Sequence, residues 1–143
     1  MVKEIIVDFD GTLTNEKYGE GPGDVSKFTP KKGVDVLRKY EVSPVIVTGR
    51  SQDLRGVSEE WLVKYNIPFK LLVMMPDYEV FEWQRYLDYK VGVHRQFDVR
   101  FSLDDKKSVV TVLRNAGIEA FLVTDNFADS FIEAWMRTDV NDN

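Results

Sequence analysis

The chain has 143 residues, 43% of them hydrophobic and 13% aromatic, which is enough for one compact domain with its own core and too few for two. It has no cysteine, which excludes disulfides and thiolate metal centres and leaves any metal site to oxygen ligands. A formal net charge of −5 argues against indiscriminate nucleic-acid binding, although a local basic groove remains open, and no apolar run is long enough for a bilayer span or signal peptide. A single soluble, cytoplasmic domain over residues 1–143 is therefore expected.

In chain order, Lys3 to Val7 opens with an apolar run of the kind buried on both faces of a parallel sheet. It ends abruptly in Asp8-Phe9-Asp10-Gly11-Thr12-Leu13-Thr14. Two carboxylates thus stand at the carboxyl end of a buried strand, where open parallel sheets bind their ligands. A calcium loop of the EF-hand type is excluded, because Thr12, Leu13 and Gly19 occupy its fifth, sixth and twelfth positions. Asn15 to Phe28 is polar, carries Gly19, Gly21, Pro22 and Gly23, and reads as a mobile flap. Thr29-Pro30 has the form of a helix N-cap followed by proline, and Val34, Leu37 and Tyr40 recur at helical spacing, which predicts a helix from Pro30 to Tyr40.

A second strand, Pro44 to Thr48, stops at Gly49-Arg50. The Thr48 hydroxyl and the Gly49 amide are hydrogen-bond donors at this strand end, and the Arg50 guanidinium is a planar fork, although Thr-Gly-Arg alone is about as readily a turn as a site. Ser58 to Tyr65 reads as a helix with Trp61, Leu62 and Tyr65 on its apolar face, where core packing accounts for Trp61. Phe69 to Met75 is a third strand closed by Pro76-Asp77, and its methionines read as core filler. Glu79 to His94 has helical tendency; His94, the sole histidine, has no motif partner and reads as a surface residue.

Phe97 to Leu103 alternates and ends in Asp104-Asp105, a second carboxylate pair at a strand end that can equally cap the next helix. That helix runs from Lys106 to Ala116 and is closed by Gly117. A last strand, Glu119 to Thr124, and a short helix around Phe131 to Met136 complete the pattern. Alternating strands and helices predict an α/β fold, a Rossmann-like three-layer sandwich with a mainly parallel sheet of about five strands.

The segment from Asp8 to Thr14 resembles the first motif of the haloacid dehalogenase (HAD) superfamily. Thr48 after its apolar strand resembles the second, Asp88-Tyr89-Lys90 the third and Asp104-Asp105 the fourth. The resemblance implies a magnesium-dependent phosphatase working through an aspartyl-phosphate, with Asp8 as nucleophile and Asp10 as general acid and base. It also implies that Thr48 binds the transferring phosphoryl group, with Thr12, Gly49 and Arg50 as substrate contacts. A lysine of the third motif neutralises nucleophile and phosphate; Lys90 is the first choice and Arg85 the alternative. Magnesium is then held by Asp8, the main-chain carbonyl of Asp10, and Asp104, Asp105 or both, an oxygen-only set that suits this ion.

The framework narrows the resemblance. Val45 to Arg50, Met74-Met75, Phe97 to Lys106 and Arg114 to Glu119 are similar to the 3′-phosphatase domain of phage polynucleotide kinase-phosphatase. This implies a phosphorylated nucleic-acid end or nucleotide as partner. Glu20 departs from the pattern, since the phage domain has an arginine there, and no Walker-type Gly-x-x-x-x-Gly-Lys-Ser/Thr for a kinase half occurs. Asn15 to Phe28 is only a loop and Met75 to Glu79 is too short for a cap domain, so the expected rim is open and admits a polymer end. Arg50, Arg55, Lys17 and aromatic side chains are its candidate contacts. A small-metabolite or nucleotide phosphatase and a non-catalytic interaction module of the same fold are the alternatives.

Overall fold

The computed structural model describes residues 2–18, 24–77 and 81–138. Five apolar runs form strands: β1 (Glu4–Val7), β2 (Val45–Ser51), β3 (Leu71–Met75), β4 (Val99–Asp104) and β5 (Ala120–Leu122). They make one sheet in the order β3-β2-β1-β4-β5, and every pairing is parallel. All five carboxyl ends therefore lie along one rim, and the chain turns from one half of the sheet to the other between β1 and β4, the crevice in which such sheets bind ligands.

Helices α1 (Val36–Lys39), α2 (Arg55–Lys64), α3 (Trp83–His94), α4 (Lys107–Asn115) and α5 (Phe127–Arg137) cover both faces. Ile5 and Val7 of β1 pack with Leu37, Trp61, Leu62, Phe127 and Phe131, which puts α1, α2 and α5 on one side. Ile6 points the other way with Val45, Val47 and Val93, beside Tyr86, Leu87, Val109 and Leu113, which puts α3 and α4 on the opposite side. This period of two, with both faces buried, is why β1 reads as an unbroken apolar run. The fold is the expected three-layer α/β sandwich. Among the described residues no helix is long and apolar enough to cross a membrane.

Three expectations are corrected. The helix expected over Pro30 to Tyr40 is α-helical only at Val36–Lys39, because Gly33 takes φ +91°, which breaks any helix begun at Pro30. The last helix is longer than expected and starts at Phe127, after an Asn126 cap whose side chain accepts from the Ala128 amide at 2.9 Å. His94 is not on the surface but 2% exposed, enclosed between α3 and β4. The expected flap carries a 3-10 turn at Val25–Lys27, with Val25 and Phe28 buried. Gly19 to Gly23, Glu20 included, lie outside the described residues.

Candidate active site

Asp8 and Asp10 leave the end of β1 on a turn in which the amides of Thr12, Leu13 and Thr14 all donate to the Phe9 carbonyl. Gly11 makes this turn possible. It has φ +80°, and a Cβ there would lie 2.3 Å from Asp105 Oδ2. The carboxylate of Asp105 is thus pressed against the β1 turn, although it comes from the end of β4.

Beside it, Asp104 and Asp8 close a compact acidic group. One oxygen from each of Asp8, Asp104 and Asp105 lies within 4.8 Å of the others. Thr12 Oγ1 donates to Asp105 Oδ1 at 3.1 Å and sits 3.4 Å from Asp8 Oδ2. Lys90 offsets the charge from below: its Nζ donates to Asp8 Oδ1 at 2.8 Å, to the Val47 carbonyl at 2.8 Å and to Asp104 Oδ2 at 3.3 Å. It belongs to the buried face of α3, whereas Arg85 of the same helix is exposed.

The electrostatics follow from burial and these contacts. Burial would raise the Asp8 carboxyl, but the ammonium groups of Lys90 and Lys106 hold it below its ordinary value. Asp104 is pushed up to about 7 by burial and by the Asp8 charge, against the pull of Lys90. Burial, and then Asp8, also raise Asp105. Burial works against the charge on Lys90, yet Asp8 and its neighbours keep it well above its usual range. Three converging carboxylates thus share one lysine at hydrogen-bonding distance, with Lys17 and Lys106 at 3.9 and 4.0 Å from Asp105.

Asp10 faces elsewhere. Arg50 grips it with two parallel bonds, Nε to Oδ2 at 2.8 Å and Nη2 to Oδ1 at 2.6 Å, while Nη1 donates to Ser58 Oγ at 2.7 Å. The fully buried guanidinium also lies 3.9 Å from the centre of the Phe9 ring. Burial raises the Asp10 carboxyl in spite of these bonds. Arg50 reaches this position because the register of β2 against β3 shifts between Thr48 and Ser51, a local irregularity that re-aims side chains at the strand end. Thr48 is buried at that bend; its hydroxyl accepts from the Arg50 amide at 3.1 Å, and the Tyr89 hydroxyl donates to its carbonyl at 2.7 Å.

The structure thus brings Asp8, Thr12, Lys90, Asp104 and Asp105 together, with Asp10 and Arg50 as a pair beside them and Thr48 and Gly49 along the adjoining strand end. Lys17 stands at the mouth, 3.9 Å from Asp105. Arg55 instead braces α2, donating to the Leu72 carbonyl at 3.1 Å. Sequence reasoning missed two cations. The Lys31 ammonium donates to the carbonyl of Gly11 and, at 3.0 Å, to that of Thr124, tying the β1 turn to the end of β5. Lys106 stands 4.0 Å from Asp105 Oδ1 and was legible as the residue next to the acid pair.

A divalent cation fits this acidic group. The donors are oxygens, as a hard ion requires, and Asp105 Oδ2 is buried without any hydrogen-bond partner. Bound positive charge would oppose the burial and the Asp8 charge that raise Asp104 and Asp105.

An acidic group built at the ends of β1 and β4 on the rim of a parallel sheet is the arrangement of the HAD class of phosphatase domain. Within that class the model of the polynucleotide kinase PNKP phosphatase domain matches residues 2–127, and the chain belongs to this family. Among solved structures, a chain of the Pnkp1/Rnl/Hen1 RNA repair complex is 25% identical with a TM-score of 0.68, over 87% of this chain and 43% of that one. A chain of a second Pnkp1/Rnl/Hen1 complex is 23% identical with a TM-score of 0.66, over 87% and 46%, a likeness of fold alone. The present chain therefore spans less than half the length of either. No curated protein sequence matches it.

Proposed function

We propose that the protein, as one domain over residues 1–143, is a magnesium-dependent phosphomonoester hydrolase that removes the 3′-phosphate from nucleic-acid ends by way of an aspartyl-phosphate on Asp8. The observation that carries this reading is the Asp8 carboxylate, kept ionised by Lys90 and Lys106 within an acidic trio whose oxygens converge. Its restriction to nucleic-acid ends rests on the family and on the likeness to a chain of an RNA repair complex.

The chemistry follows from the residues. An Asp8 oxygen attacks phosphorus, and the bond from phosphorus to the 3′ oxygen breaks. The departing alkoxide takes a proton from Asp10, whose carboxyl burial raises above its ordinary value. Water then attacks the acyl phosphate, Asp10 takes its proton back, and inorganic phosphate leaves with Asp8 restored. Arg50 fixes Asp10 in orientation and favours its ionised form, the form needed in this second step. The Thr48 hydroxyl, which accepts from the Arg50 amide, keeps its own proton to donate to a phosphoryl oxygen, and the Gly49 amide offers a second donor. Asp8, Asp104, Asp105 and the Asp10 carbonyl would hold the magnesium ion, which supplies charge neutralisation to the phosphoryl group.

The test is phosphate release from a 3′-phosphorylated oligonucleotide. Asp8→Asn and excess chelator should each abolish it, while Asp10→Asn should lose about 10² to 10⁴ in kcat, with a good leaving group recovering part of the first step, read as leaving-group release in the first turnover. Full turnover by Asp8→Asn sinks the mechanism. Equal rates on nucleoside monophosphates or sugar phosphates would instead favour the small-metabolite reading.

A further inference from the structure

An aromatic cluster at the start of α3 has no part in the chemistry above. Trp83 opens the helix and is 44% exposed, and Phe81, two residues earlier, is 51% exposed. Their ring centres are 6.1 Å apart, and Trp83 stacks on Tyr86 at 5.4 Å with 30° between the ring planes. Tyr86 is buried, and its ring lies so close to the end of β2 that a Cβ on Gly49 would be 2.6 Å from Tyr86 Cε1. On its inner side the same ring is 5.7 Å from the Lys90 ammonium, which in turn is 2.8 Å from Asp8.

The rings therefore run without a break from solvent to the phosphoryl site. Adjacent exposed aromatics mark a contact surface, and their continuity with the site says what they contact. A ligand whose phosphate sits at Asp8 and whose neighbouring part is flat and apolar meets both requirements, and this describes the end of a nucleic-acid strand. Arg85, exposed on the same turn, offers a cation to the phosphates of a bound strand.

We propose that Phe81 and Trp83 form a base-stacking platform for the terminal nucleotides of the phosphorylated strand, with Tyr86 as the buried ring that anchors it. The proposal rests on the reading of the protein as a nucleic-acid end phosphatase. Stacking on aromatic rings tolerates any base, so the platform contributes affinity for a strand end without selecting its sequence.

The experiment compares a 3′-phosphorylated oligonucleotide with the same strand carrying an abasic sugar at its 3′ end. The unsubstituted protein should favour the base-bearing strand about tenfold in kcat/KM, within the range measured for one stacked base. Trp83→Ala combined with Phe81→Ala should bring that preference close to one, while Trp83→Phe keeps most of it. Both side chains are substantially exposed, so the variants should fold. Binding gives a second readout. With Asp8→Asn to prevent turnover, the base-bearing strand should quench tryptophan fluorescence, and Trp83→Phe should remove the quench while the buried Trp61 remains.

A double variant that retains the full preference overturns the platform, and so does an unsubstituted protein that hydrolyses both strands equally; the end-phosphatase reading survives either result. Hydrolysis of phenyl phosphate with no action on either strand overturns that reading and the platform together.

Discussion

At position 94 an imidazole ring is held between a carbonyl and a hydroxyl: Nδ1 is 2.7 Å from the Lys90 carbonyl oxygen and Nε2 is 2.7 Å from Ser102 Oγ. The carbonyl can only accept, so Nδ1 donates to it and Nε2 accepts the Ser102 proton, which fixes one neutral tautomer. Burial, with the Lys90 charge adding to it, lowers the pKa of this ring from 6.5 to about 4. The unfolded chain thus binds the proton more readily, and the stability supplied by the neutral ring is complete above pH 6.5 and lost as pH falls toward 4. At about 1.4 kcal/mol per pKa unit, the loss by pH 5 is about 2 kcal/mol. Urea unfolding of the protein and of His94→Gln should show the stability gap between them narrowing by this amount from pH 7.5 to pH 5. A gap that stays constant would mean that the ring is not held neutral.

The same residue marks a limit of what the sequence reveals. The buried face of α3 is made of Tyr86, Leu87, Lys90, Val93 and His94, and two of its five members are ordinarily solvated, so the periodicity that betrays a buried face is hidden. Asp8, Asp10, Asp104 and Asp105 were legible because each carboxylate pair directly follows an apolar strand. The grip of Arg50 on Asp10 was not, since it joins positions forty apart through a register shift of β2 that no local pattern announces.

Among elements, the strands were readable and the helix ends were not. A strand buried on both faces is a run of apolar residues, whereas α1 and α5 depend on how Gly33 and Asn126 meet. A Cβ at Gly33 would lie 2.3 Å from Asn126 Oδ1 and 2.6 Å from the Ala128 amide nitrogen, so this segment seats the capped start of α5. The Phe127 amide completes the junction by donating to the Lys32 carbonyl at 2.8 Å. Gly33→Ala should therefore impose both a left-handed conformation and a damaged cap, together at least about 2 kcal/mol in urea unfolding. Asn126→Ala alone should cost about 1 kcal/mol. A Gly33→Ala variant as stable as the unsubstituted protein would refute the junction.

For the molecule as a whole, the balance of charge decides. The chain carries a net −5, and its three converging carboxylates resist being ionised together. A cation that binds the folded form alone stabilises it by mass action, about 2.7 kcal/mol at a hundredfold excess over its Kd. Millimolar magnesium should accordingly raise Tm by several degrees, and Asp105→Asn should erase most of that rise, as read by calorimetry without any substrate. A Tm indifferent to magnesium and to chelator would argue against a cation at this site.

The position of β1 has a consequence for time as well as for place. Val7 pairs with Leu103 and Ile6 with Ser102, so the strand that leads into Asp8 depends on a neighbour from the far part of the chain. Closing so long a loop is entropically costly, and parallel pairings of this kind form slowly. Asp8 therefore meets Asp104 and Asp105 only when β4 docks, after the local turns and helices have had time to form. A refolding chain would lack the converged acidic group until that event and would gain it in one step.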